Sequence, residues 1–422
     1  MIESRRQLSI NVARVVHDLT SFGLDVLLFA AALSAALLGS KVSARVSVPS
    51  AALFLVVAAL ASDQYPSLAL STKAVEQLGT VALIVILFNG GSSIGLRRFR
   101  AVALPVATLG ILGTFATAGL IAIFVHLAFG LGWTTAGLLG AAVAPTDPAV
   151  MFSVLGDREI GGAAGTILEG ESGANDPVGI ALMIGMIELA TRTDASFWIV
   201  VSTFAEQMAI GLGIGVVGGL LEQQLLQRLS LPSSGLHTVR TLALAGLVYG
   251  VATVAHGSGF LAVFIAGLLV GDIEAPFKSE IAAFQDGLAT LAEIVVFVAL
   301  GLTIEIGAVG GEHWAQGVAL AAFVALVARP LALGPLLGPT TLRRGEVLFV
   351  MWGGLKGAVP ILLAAFALGR HVPDADRIYD IVFVVVLVSV VVQGGSISWV
   401  ARRAGIEMRE TGPVTPPASR AE

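Results

Sequence analysis

AAVAPTDPAVMF (residues 141–152) breaks an apolar run in its middle, and far along the chain GGLKGAVPILLA (353–364) does the same. Pro145, Pro148 and Pro360 each remove a backbone donor, while Gly353, Gly354 and Gly357 loosen the chain. Each break also carries a charge, Asp147 in the first and Lys356 in the second. Unwound backbone at membrane depth survives only where protein buries it or a water-filled cavity meets it. The fold therefore turns on whether these runs are membrane spans.

Composition says that they are. Of 422 residues, 56% are hydrophobic and only 13% charged, about half the roughly 25% charge of a soluble domain. The mean hydropathy is +0.91. Apolar runs of roughly 17–25 residues, the length of a bilayer-crossing helix, recur along the chain, and 50 glycines suit helices packed backbone to backbone in lipid. An all-α polytopic membrane protein embedded in a lipid bilayer is expected, with about 13 transmembrane helices. Their approximate limits are 23–40, 49–63, 73–91, 101–126, 134–155, 162–190, 197–221, 238–255, 259–271, 286–305, 314–337, 346–369 and 378–400.

The two interrupted spans, the fifth and the twelfth, stand seven apart. That spacing fits two inverted six-helix repeats, about 23–190 and 238–400, with the seventh span linking them. Paired interrupted segments at matching positions point to a transporter's binding site. Residues 1–22 read as an N-terminal extracytoplasmic or interfacial segment, 23–405 as the transmembrane domain, and 406–422 as a disordered cytoplasmic tail. GDIEAPFKSEIAAFQDG (271–287) reads as an interfacial amphipathic segment. Lys and Arg crowd one set of loops, including Lys41, Arg45, Arg97, Arg98 and Arg343, whereas the opposite set holds Lys73, Arg192, Arg370 and Arg377. The crowded side is expected to be cytoplasmic, with the N-terminus outside and the C-terminus inside. Arg5, Arg6 and Arg14 run against that reading.

Several functions drop out. There are no cysteines, hence no disulfide, thiol nucleophile or cysteine–metal site. No G-x-x-x-x-G-K-[ST] motif occurs, so transport would be secondary, driven by ion gradients. No cofactor, transition metal or nucleic-acid partner is expected, and an enzyme is not.

Ionisable residues at bilayer depth face a cavity or a partner. Five stand out: Asp147, Glu171, Asp176, Arg329 and Lys356. Three acids against two bases leave one carboxylate over. Glu171 and Asp176 lie in ESGANDPVG (171–179), inside an apolar stretch. On a helix Ser172, Asn175 and Asp176 share a side, gathering a hydroxyl, an amide and a carboxylate, while Glu171 sits about 100° round from Ser172 and faces a different neighbour. Hard oxygen ligands suit an alkali cation. A lone Asp176 can hold a proton or a monovalent cation but hardly both, because one negative charge cannot stabilise two positives. With alternating access, that competition suffices for one-for-one exchange. A charge-balanced polar knot, a cation channel, a non-transporting cation sensor and an intramembrane hydrolase are the competing readings.

At this point APTDPAVMFSVLG, LEGESGANDPVG, VARPL and GGLKGAVPILLA together resemble the sodium/proton exchanger type of monovalent cation–proton antiporter. FQDGLATLAEIVVFVALGL (284–302) and VVLVSVVVQGGSISW (385–399) resemble its bacterial cell-volume-regulation potassium/proton branch, and the likeness runs from roughly residue 24 to 405. The resemblance implies exchange of Na⁺ or K⁺ for H⁺ in pH homeostasis or volume regulation, a homodimer in the inner (plasma) membrane, and crossed broken helices beside the ion site. It puts the proton- and cation-carrying carboxylate on Asp176, with Asn175, Ser172, Thr146 and Asp147 around the ion. Glu171 and Arg329 fall on a structural ion pair, and Lys356 on a position that offsets half-helix dipoles. Asn175, where electrogenic relatives carry a second aspartate, implies electroneutral exchange. Two departures stand out: Lys356 replaces a usual arginine, and Asn89 in LFNGGSS replaces an acid that joins the ion site in some relatives.

Overall fold

The computed structural model describes residues 49–147, 151, 158–160, 163–192, 196–229, 231–406 and 408–410, with scattered positions between 23 and 37. Helices dominate. From the N-terminal side they are α1 (Ser50–Gln64), α2 (Thr72–Ala107), α3 (Thr114–Phe129), α4 (Trp133–Val143), α5 (Ala163–Thr191), α6 (Phe197–Arg228) and α7 (Ser234–Val254). Then come α8 (Gly259–Gly271), α9 (Lys278–Gly301), α10 (Gly311–Phe323), α11 (Arg329–Leu337), α12 (Arg344–Trp352), α13 (Ala358–Gly369), α14 (Ala375–Val388) and α15 (Gly395–Ala404). Six continuous helical stretches among the described residues are long and apolar enough to cross a bilayer.

These helices overlie the expected runs from residue 49 onward. The first run, 23–40, is described only at scattered helical positions, and residues 1–22 lie outside the described residues. Three boundaries differ from expectation. The third and fourth spans join without a loop, because the chain bends at one residue, Gly95 (φ 70°, ψ 157°). Only glycine fits: its conformation is left-handed, and an added Cβ would stand 2.6 Å from the Asp272 carboxylate, which accepts from the Arg97 amide to start the next helix. The expected interfacial segment is not separate, since residues from Lys278 on are the first turns of α9. Within the expected tail, Met408–Glu410 forms a strand, β2, antiparallel to β1 (Arg158–Ile160), so that part is ordered; residues 411–422 lie outside the described residues.

Close packing uses small residues where two backbones meet. A Cβ on Gly91 of α2 would strike the Phe264 carbonyl of α8, and one on Gly267 the Phe88 carbonyl. Glycines let helices in lipid approach this far. Three π-helical turns are described, Thr108–Gly113 before α3, Val324–Ala328 before α11 and Ser389–Gly394 before α15; the first packs on α5 at Gly110 and the third meets the second break at Ser389. Such turns often sit at functional sites.

Candidate functional site

The site is built where the two broken segments meet. Helix α4 stops at Val143 and residues 144–147 are not helical; α12 stops at Trp352 and α13 resumes at Ala358. The amide of Asp147 donates to the carbonyl of Leu355 at 2.8 Å, stitching one break to the other.

Each helix end leaves carbonyls without intrahelical donors, and here a base meets each set. The Lys356 Nζ donates to the carbonyls of Ala144 (2.8 Å) and Pro145 (3.0 Å) beyond α4. Arg329 Nε and Nη2 donate to the carbonyls of Met351 (2.8 Å) and Val350 (3.1 Å) at the end of α12. Cations there also oppose the negative end of each half-helix dipole. At the start of α13 the sign reverses: the Asp147 carboxylate packs against Gly357, so closely that no Cβ would fit. A carboxylate there meets the positive helix end. Gly354 is likewise a glycine because the Arg329 guanidinium occupies the space of a Cβ.

Helix α5 brings the polar cluster to this crossing, running unbroken through Pro177. Ser172 Oγ donates to the Thr146 carbonyl at 2.7 Å. Asn175 pairs with Thr146 twice: its Nδ2 donates to Thr146 Oγ1 (2.8 Å), and its Oδ1 accepts from the Thr146 amide (3.3 Å). On another side of α5, Glu171 accepts both arms of Arg329, at 2.9 and 3.0 Å. Glu171, Ser172, Asn175, Asp176, Thr146, Arg329 and Lys356 are all 5% exposed or less.

Asp176 stands apart. Among the described residues its Oδ1 is buried with no hydrogen-bond partner. The base within Coulombic reach is Lys356, whose ammonium is already given to two carbonyls, and the other charge it feels is the acid Asp147.

Of the residues read from sequence, Thr146, Asp147, Glu171, Ser172, Asn175, Asp176, Arg329 and Lys356 come together at the crossing. Asn89 is held elsewhere: its Nδ2 donates to Asp286 of α9 at 3.1 Å, beside a Ser92–Gln285 bond of 3.3 Å. Three contributors escaped the sequence reading. Ser389 Oγ accepts from the Lys356 amide (2.9 Å) and donates to Gln393 (2.7 Å), which reaches the Trp352 carbonyl. Their signal was two polar residues four apart in a valine-rich run. Glu293 lies within Coulombic reach of Asp147, so around the crossing four acids, not three, stand against the two bases.

The profile of the family described as "sodium/hydrogen exchanger, transmembrane" matches residues 29–403. The chain is 35% identical over 398 residues to the K⁺/H⁺ antiporter NhaP of Alkalimonas amylolytica, covering 93% of this chain and 69% of that protein. It is 33% identical to the K⁺/H⁺ antiporter NhaP2 of Shewanella sp. ANA-3 (87% and 65% covered) and 27% identical to the Na⁺/H⁺ antiporter NhaP of Pseudomonas aeruginosa (83% and 88%). It thus spans about two thirds of the length of the first two. In three dimensions it is similar to the sodium proton antiporter MjNhaP1 of Methanocaldococcus jannaschii, with a TM-score of 0.76 at 22% identity, covering 86% of this chain and 97% of that one.

Proposed function

The chain belongs to the sodium/hydrogen exchanger family, and on that premise we propose that it exchanges K⁺ or Na⁺ for H⁺ across a membrane, one for one, through competition of proton and cation for Asp176. The observation that carries this reading is the orphaned Oδ1 of Asp176, buried in a polar cluster whose other charges are committed. Desolvation makes an unpaired buried carboxylate costly, so the group gains from binding a positive charge, and either a proton or an alkali cation supplies it. Thr146 and Ser172 offer oxygens beside it. Exchange follows when the loaded carboxylate is presented to either side and the empty ionised one is not.

The breaks supply a means of alternating access. Among the described residues the crossing is held by one backbone bond and by side chains, so α5 and the half-helices can shift while Lys356, Arg329 and Asp147 keep the exposed helix ends neutralised. The crossing of two interrupted segments favours two inverted six-helix repeats and thirteen spans. Contacts also gather Arg-bearing ends, with Arg97 at Asp272, Arg158 paired to Glu410 and Gly345 against Ala404. That favours a cytoplasmic face there, in an inner (plasma) membrane. A homodimer completes the reading. The two relatives of higher identity are K⁺/H⁺ antiporters, which makes K⁺ the first ion to try.

The test is proton movement in proteoliposomes driven by K⁺ or Na⁺ gradients. Wild type is expected to move protons against an imposed cation gradient, which a channel or a sensor cannot do. Asp176→Asn is expected to abolish that movement while remaining folded; full activity in the variant would sink the proposal.

A further inference from the structure

We infer that Glu293 of α9 is a second carboxylate of the ion path, placed to hold the cation on its way to Asp176 and to set how tightly it binds. This rests on the antiport reading above.

Asp286, Thr290 and Glu293 follow one another at steps of four and three, so they share one face of α9. Asp286 and Thr290 are exposed and Glu293 is half-buried, while Val296 and Phe297 on the next turn are closed off. A strip of oxygen-bearing side chains therefore starts at the surface and ends at Glu293. At its outer end Asp286 is met by Asn89 of α2. At its inner end Glu293 lies within Coulombic reach of Asp147, which itself lies within reach of Asp176.

Glu293 has no structural occupation. Among the described residues it makes no hydrogen bond or ion pair, and the charge it feels is another acid. The two bases nearby are spent, Arg329 on Glu171 and Lys356 on carbonyls. An acid kept at this depth without a partner is a functional feature. Four acids against two bases leave two negative charges around the crossing, and one of them lies on the side toward Asp286. α2 contributes an amide there, Asn89, so the acid that draws in a cation comes from α9. The ligand class is a monovalent alkali cation, met first by carboxylate and hydroxyl oxygens.

The experiment compares wild type, Glu293→Gln and Glu293→Asp as full-length protein in proteoliposomes, with K⁺ and Na⁺ varied at fixed pH. Glu293→Gln is expected to raise the apparent KM for the cation by about tenfold or more, as loss of one unit charge within about 12 Å at an effective dielectric of about 20 implies. Its maximal rate should stay near wild type, and Glu293→Asp should restore a near-normal KM. An unchanged KM in Glu293→Gln overturns the inference, and so does equal damage to the rate in both variants, which marks a packing role. A measurement on wild type itself is the K⁺-induced infrared difference spectrum, in which two carboxylate bands are expected, one from Asp176 and one from Glu293; a single carboxylate band overturns the inference. Wild type that moves no protons overturns the antiport reading itself, whereas normal wild-type exchange with an unshifted KM in Glu293→Gln removes Glu293 alone.

Discussion

Glu171 and Asp176 lie five residues apart on one helix, both almost fully buried, yet their surroundings are opposite. Glu171 receives a two-armed guanidinium that also ties down the end of α12. Asp176 keeps an oxygen with no hydrogen-bond partner among the described residues. The same residue chemistry thus serves as a fastener in one place and as a vacancy for charge in the other. What separates them is the direction each faces, Glu171 toward α11 and Asp176 toward the crossing.

Removing each charge by the amide swap should break the comparison most sharply. Glu171→Gln leaves Arg329 buried without its counter-charge, a loss of about 3–5 kcal/mol, visible as a large fall in thermal stability. Asp176→Asn removes a charge that nothing offsets, so stability should hold or rise. Equal losses in the two variants would refute the distinction. A smaller effect is expected at Ser389→Ala, which strips the partner from the buried Lys356 amide and from Gln393. The loss should be about 1–3 kcal/mol, checked by denaturation in detergent, and no loss would mean Ser389 does not support the break. Asn175→Asp keeps its hydrogen bonds to Thr146, because the Thr146 hydroxyl can turn to donate where it now accepts. A second carboxylate beside Asp176 should nonetheless make exchange respond to membrane potential, whereas wild type should not.

Much of this was legible in the sequence because it is written in local exceptions. Prolines, glycines and single charges are rare inside apolar runs, so the breaks at Pro145 and Gly353 and the acids of ESGANDPVG announce themselves. Helical spacing alone separates Glu171 from Ser172 and Asp176. What escaped is set by tertiary contact. The π turns at Thr108–Gly113 and Ser389–Gly394 have no local period of their own, and only the fold sets them against α5 and the second break. Asn89 looked like a gap in the ion site, but its partner Asp286 lies 197 residues away. Glu293 was passed over although an acid in AEIVVFVALG is the same kind of exception, because only the fold brings it near Asp147.

The central claim is that one carboxylate serves both ions, and equilibrium binding of K⁺ or Na⁺ across pH tests it most directly. Competition predicts that, on the acid side of the ionisation, each tenfold rise in proton concentration weakens the apparent cation affinity about tenfold, with site number unchanged, and that Asp176→Asn binds no cation at any pH. Cation affinity independent of pH, or undiminished in Asp176→Asn, would contradict it.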